Sequence, residues 1–198
     1  MAATDSTGRE GAENFLLRRT PDQILGPFYP VHRTPDTSGD LTRGGRAAGL
    51  LLHLSGTVSR LDGTPVAGAE VQIWQANCHG RYRHDGDVNP APLDPHFDGF
   101  AVTTTGADGR YAFVTVKPVA YPTSPTTWRP AHIHFRVTTK LEQLVTQMYF
   151  EGDPHNDTDP FLRSARRPEA LIIALLPPGP GAAPESRRVV FDIALATG

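Results

Sequence analysis

Cysteine is almost absent from this sequence: Cys78 is the single thiol in 198 residues. One thiol can form no internal disulfide framework and no zinc site built on paired cysteines. Long apolar runs are missing too, and no stretch approaches the roughly 18 residues that a membrane-crossing helix needs. The opening segment MAATDSTGREGAENFLLRRT lacks the apolar core of a secretory leader. An excess of one charge is likewise absent, because 19 Lys and Arg against 21 Asp and Glu leave a formal net charge of −2. That balance offers no electrostatic footprint for nucleic acid or an anionic membrane. The expectation is a soluble, cytoplasmic protein whose partner is a small molecule.

Glycine and proline are plentiful, 19 of each, with no repeat period and with short apolar segments between them. This texture predicts an all-β chain rich in turns rather than a disordered or collagen-like one. Residues 1–48 show little periodicity and read as an extended N-terminal arm, made ordered by the apolar patch ILGPFYP from Ile24 to Pro30. Residues 49–198 read as one β-sandwich domain. Its strands are expected in LLHLSGTV, EVQIWQA, AVTTTGADGRYAFVTV, AHIHFRVTT, LVTQMYFEG and RRVVFDIALA, where apolar residues recur at every second position. Asp62-Gly63 and Asp108-Gly109 mark tight turns and predict a succession of hairpins. RRPEALIIALL suits a short helix or a strand about equally. The strand-poor stretch from Cys78 to Gly99 is a long loop on a rigid scaffold, the usual place for a site.

WRPAHIHFRV, residues 128–137, carries two histidines on one face of a strand. Phe135 and Val137 make that strand an interior one, where unpartnered imidazoles are costly, so His132 and His134 call for partners or a metal. A third and fourth donor can be sought in two ways. Glu142, Glu151 and His155 would complete a cupin-like site, but their spacing fits that pattern poorly. Tyr82 in GRYRH and Tyr121 in KPVAYPT would supply phenolates, and two phenolates with two imidazoles favour ferric iron. A non-enzymatic binding module, for which strands and turns suffice, is the third reading. Trp74 reads as core, and His84, His96 and His155 read as solvated loop residues.

Taken in order, PVAGAEVQIWQANCHGRYRH, APLDPHFDGF, GRYAFVTVKPVAYP, WRPAHIHFRV and LVTQMYFEGDP resemble the core of the intradiol ring-cleavage dioxygenases, most closely the subunits of protocatechuate 3,4-dioxygenase. QILGPFYP resembles the segment that borders the active site in that family. The resemblance implies a transthyretin-like β-sandwich with long active-site loops, holding non-haem Fe(III) on Tyr82, Tyr121, His132 and His134. It implies that Arg129 and Gln147 flank the iron on the substrate side, with Tyr121 also acting in catalysis, and that Phe28, Tyr29, Trp128 and Arg129 contact substrate. The reaction implied is cleavage of a catechol by O2 between its hydroxylated carbons, giving a cis,cis-muconate. Because all four ligand positions are filled in one chain, a homo-oligomer is expected. The sequence departs from the family at Cys78-His79, where small residues are usual, and in a short segment from Tyr121 to Trp128.

Overall fold

In the computed structural model, which describes residues 16–32, 34 and 36–197, the apolar alternation of the sequence becomes two facing β-sheets. The described strands are β1 (Leu51–Arg60), β2 (Glu70–Trp74), β3 (Phe100–Thr104), β4 (Arg110–Val116), β5 (Tyr121–Pro122), β6 (Trp128–Arg129), β7 (His132–Thr138), β8 (Gln143–Phe150), β9 (Ile172–Ile173), β10 (Arg187–Val190) and β11 (Ile193–Leu195). In the first sheet β1 pairs antiparallel with β4 and parallel with β10 and β11. The second runs in the order β3-β2-β7-β8-β9. Leu52, Leu54, Phe113, Val189 and Phe191 from the first meet Val71, Ile73, Ile133, Phe135 and Val137 from the second in one buried core. Each such side chain contributes about 1.5–3 kcal/mol on burial.

The expected run of hairpins holds at β7–β8 and β5–β6, while neither Asp-Gly turn joins two strands of one sheet, although Ser59 pairs antiparallel with Pro65 across the first. At those turns the chain changes sheet, passing from β1 to β2 and from β3 to β4. Gly63 and Gly109 take positive φ there, at 82° and 72°. Alternation determines which face of a strand is buried, not which strand lies beside it. With both inner faces apolar, alternating between sheets buries each strand as well as a hairpin would.

The C-terminal segment also differs from a single strand. It breaks at Phe191-Asp192, where the Phe191 amide donates to the Ser55 carbonyl and the Thr57 amide donates to Asp192 Oδ1. Gly56 permits this close passage, since a Cβ there would lie 2.0 Å from the Phe191 carbonyl oxygen. The 166–176 region resolves into a 3-10 turn, Pro168–Leu171, followed by β9. A short helix, α1 (Pro160–Ser164), escaped the sequence reading; Asp159 caps it by accepting from the Leu162 amide at 2.7 Å.

From residue 16 onward the arm lies on its own sandwich. The Gln23 amide donates to the Val145 carbonyl at 2.8 Å, Thr146 Oγ1 donates to the Pro21 carbonyl at 2.7 Å, and Leu41 is fully buried. Among the described residues no helix is long and apolar enough to cross a membrane.

Glu142 ties three segments together. Its carboxylate accepts from Arg19 Nε and from the Thr197 amide, each at 2.6 Å. Burial pulls its pKa up, but the Thr197 amide and Arg19 together hold it below the usual carboxylate value. The stability it adds is therefore present above the ordinary glutamate pKa and is lost as pH falls through the lower folded value. Glu142→Gln should remove about 0.5–1 kcal/mol at neutral pH and leave the variant and parent converging in acid. Thermal melts across pH 3–7 check this, and a constant gap at every pH would contradict it.

Candidate metal centre

Strand β7 sends Ile133, Phe135 and Val137 into the core, so His132 and His134 emerge on the outer face of the second sheet. Register places Trp74 and Gln147 beside His134, and Tyr149 beside His132. The 75–99 loop, the β5–β6 hairpin and the arm roof this face, leaving both histidines buried. The loop brings Tyr82, whose amide donates to Asp87 Oδ2 at 2.7 Å. The hairpin brings Tyr121, which pairs in register with Arg129.

The four groups converge. His132 Nδ1 sits 2.7 Å from the Pro130 carbonyl, which assigns the ring proton to Nδ1 and leaves Nε2 as a free lone pair. That Nε2 lies 3.2 Å from Tyr82 Oη and 3.2 Å from His134 Nε2. The Tyr121 ring stands 5.7 Å from that of Tyr82 and 5.8 Å from that of His132. His134 stacks on Trp74 at 4.8 Å and is packed so closely against Gly26 that a Cβ there would come within 3.1 Å of its Cε1. The role of Trp74 is thus to wall the histidine face rather than to fill the core between the sheets.

Electrostatics keep the cluster uncharged by itself. Burial, reinforced by Arg129, holds His132 down at about 3, and burial with His132 beside it holds His134 well below the ordinary value. Burial raises both phenols; Tyr121 is pulled back in part by Arg129. Two neutral imidazoles and two phenols thus face one another with few hydrogen bonds among them. His134 Nδ1 closes no bond of normal geometry, although the Ile24 carbonyl lies near enough to act on it. A bound cation would take the facing lone pairs and stabilise phenolate oxygen, so the donor set fits a hard, strongly Lewis-acidic metal ion. Among the described residues no group of three or more His, Cys, Asp or Glu gathers, which leaves the cupin-like arrangement without its carboxylate.

Beside the cluster lies a buried cation. Arg129 Nε donates to Asp159 Oδ2 at 2.5 Å, and Nη2 donates to Gln147 Oε1 at 2.7 Å and to Tyr149 Oη at 3.2 Å. Gln147 in turn donates through Nε2 to the Ile24 carbonyl at 2.9 Å, linking the arm to the arginine. The Phe161 ring lies 4.6 Å from the guanidinium. Asp159 and Tyr149 were not among the residues singled out from the sequence. For Asp159 a signal existed: Asp-Pro opening an apolar turn is a helix start.

Tyr121, Arg129, Trp128 and Phe28 line a cavity of about 1060 Å³ above the cluster. Tyr82, His132, His134 and Gln147 are not in its lining, and Gln147 touches it through Arg129 and Ile24, both of which line it. Tyr29 does not line the cavity; its hydroxyl donates to Gln72 Oε1 at 2.8 Å and its ring packs edge-on against Trp74. His155, read from the sequence as solvated, is half-buried and stacks flat on Trp128 at 5.6 Å in the cavity wall. Cys78 is half-buried outside that wall.

On this sandwich, with its buried nitrogen and phenol donors beneath a cavity, the family model described as Dioxygenase matches residues 24–197. The protocatechuate 3,4-dioxygenase beta chain of Burkholderia cepacia is 42% identical over 163 residues, covering 78% of this chain and 68% of that one. Catechol 1,2-dioxygenase 1 of Acinetobacter lwoffii is 36% identical over 170 residues, 77% of this chain and 51% of the relative. Among solved structures, catechol 1,2-dioxygenase from Pseudomonas arvilla C-1 superposes with a TM-score of 0.72 at 29% identity, over 89% of this chain and 62% of that one. The dioxygenase domain of a carbohydrate-binding fusion from Streptomyces sp. SirexAA-E gives 0.70 at 28%, over 91% of this chain and the whole of that domain. This chain belongs to the intradiol ring-cleavage dioxygenase family. It spans about half the length of the catechol-named relative.

Proposed function

We propose that this protein opens catechol-type aromatic diols between their hydroxylated carbons with O2, giving cis,cis-muconates, at ferric iron held by Tyr82, Tyr121, His132 and His134. The observation that carries the reading is the convergence of those four side chains behind Arg129 in a chain of this family. When bound, ferric iron would accept charge from a chelated catecholate and make the ring reactive toward O2.

The chain's own residues do the rest. Tyr121 alone of the four borders the cavity, so its Oη, which would be a phenolate with the metal bound, is the group placed to take a proton from an arriving catechol. Arg129, fixed by Asp159 and Gln147, offers a permanent positive charge to negative charge developing on the ring, with no reorganisation needed during reaction. Phe28 packs at 4.7 Å on Tyr82 and keeps water from that side. Since one chain supplies all four donors, the reading needs no second type of subunit, and a homo-oligomer satisfies it.

The iron-loaded protein should absorb broadly in the visible from phenolate-to-iron charge transfer, and catechol should lose its ultraviolet band as a muconate forms. A colourless, iron-free protein that leaves every catechol intact would remove the proposal. Tyr121→Phe should keep most of its iron, since three donors remain, while kcat falls by about 10²–10⁴ with the proton acceptor gone. Steady-state rates equal to the parent's would remove Tyr121 from the mechanism.

A further inference from the structure

We infer that the cavity selects catechols bearing a neutral, apolar substituent over catechols bearing a carboxylate; the inference rests on the ring-cleavage reading above and adds the substrate class. A catechol with its hydroxyls toward Tyr121 and Arg129 fills only a fraction of about 1060 Å³, so the remaining volume is available to a ring substituent. The walls around that volume are Phe28, Val88, Pro90, Pro125, Trp128 and Phe161.

The hydroxyls of Thr123, Ser124 and Thr127 in the β5–β6 connection are engaged with each other. Thr123 Oγ1 and Thr127 Oγ1 are 2.9 Å apart, Ser124 Oγ and Thr127 Oγ1 are 2.6 Å apart, and the Thr126 and Thr127 amides donate to Ser124 Oγ. The hairpin therefore shows the cavity little unspent donor capacity. Asp87, the acid in the wall, already accepts from the Tyr82 and Asn89 amides, and its negative charge opposes a second carboxylate.

Little positive charge is left for a ring substituent. Among the described residues, Arg129 and His155 are the only basic side chains lining the cavity. Arg129, held by Asp159 through Nε and by Gln147 and Tyr149 through Nη2, stands in the reading above at the diol end of the ring and serves the ring itself. His155 lies flat on Trp128 and so shows the mouth of the cavity a stacked pair of rings. A substrate carboxylate would find no full ionic partner there, whereas an alkyl or aryl group would gain apolar contact. Trp128 and Val88 are 44% and 92% exposed, so the apolar wall continues to the open mouth and tolerates a substituent larger than the ring itself needs.

The test compares kcat/KM of the iron-loaded protein for catechol, 3,4-dihydroxybenzoate and 4-tert-butylcatechol at fixed pH and ionic strength. The butyl compound is expected to exceed the benzoate by at least about tenfold, the scale on which an apolar pocket discriminates. A benzoate preference, or equal values, overturns the inference and leaves ring cleavage intact; turnover of none of the three removes both together. Val88→Arg places a cation on the same wall and should raise the benzoate-to-butyl ratio by about threefold or more. An unchanged ratio in that variant would mean that this wall does not meet the substituent, and would overturn the inference as well.

Discussion

A His134→Ala chain produced with ample iron is expected to retain less than about a tenth of the metal of its parent and to show no ring cleavage. His134 Nε2 is one of two imidazole nitrogens that face each other at 3.2 Å, and alanine leaves His132 with phenols alone. Metal affinity falls steeply when a donor is lost, because the remaining groups must still be deprotonated and held in place. The variant also loses the ring stacked on Trp74, so a stability loss of about 2–4 kcal/mol from the cavity left behind accompanies it. Melting of the variant is therefore compared with the metal-free parent, and metal content is measured on material that remains folded. His132→Ala should behave alike. Full iron occupancy in either folded variant would contradict ligation.

The second large effect is expected at the Arg129–Asp159 pair. Both groups are buried, and removing the cation by Arg129→Leu leaves the Asp159 carboxylate buried without its ionic partner. Breaking such a pair destabilises by about 3–5 kcal/mol. Catalysis should fall by about 10²–10³, as on deleting one fixed electrostatic stabiliser. Iron content should hold, because Arg129 is not one of the four donors. Adding Asp159→Asn to Arg129→Leu removes the orphaned charge and should restore part of the stability, while activity stays low. Recovery of activity in the double variant would show that Arg129 serves the fold alone. Asp159 also caps α1 through Oδ1, so the single Asp159→Asn variant tests whether fixing the arginine or starting the helix matters more to kcat.

The β-strands and the inward face of each were legible in the sequence because alternation is local: every second residue of β7 or β10 declares its side within a few positions. The histidine pair was legible for the same reason. Tyr82 and Tyr121 could be linked to it only through the resemblance of the linked motifs, since they lie 50 and 11 residues from His132. Nothing local binds a loop tyrosine to a strand histidine. The Asp-Gly turns show the limit of local reading from the other direction, for they specify a change of direction and leave the next strand's sheet undecided.

By itself, then, the sequence determined an all-β chain, its buried faces and the chemical kinds of donor on offer, all of which follow from side-chain period and residue type. Only the tertiary structure decided that Asp159 pairs with Arg129, that Trp74 walls His134, that Tyr29 packs away from the cavity while His155 enters its wall, and that the hydroxyls of Thr123, Ser124 and Thr127 bond one another. Those pairings join residues that are distant in sequence or on separate loops. They are fixed by which surfaces pack when two sheets and their loops close on one core, and no window of sequence contains that information.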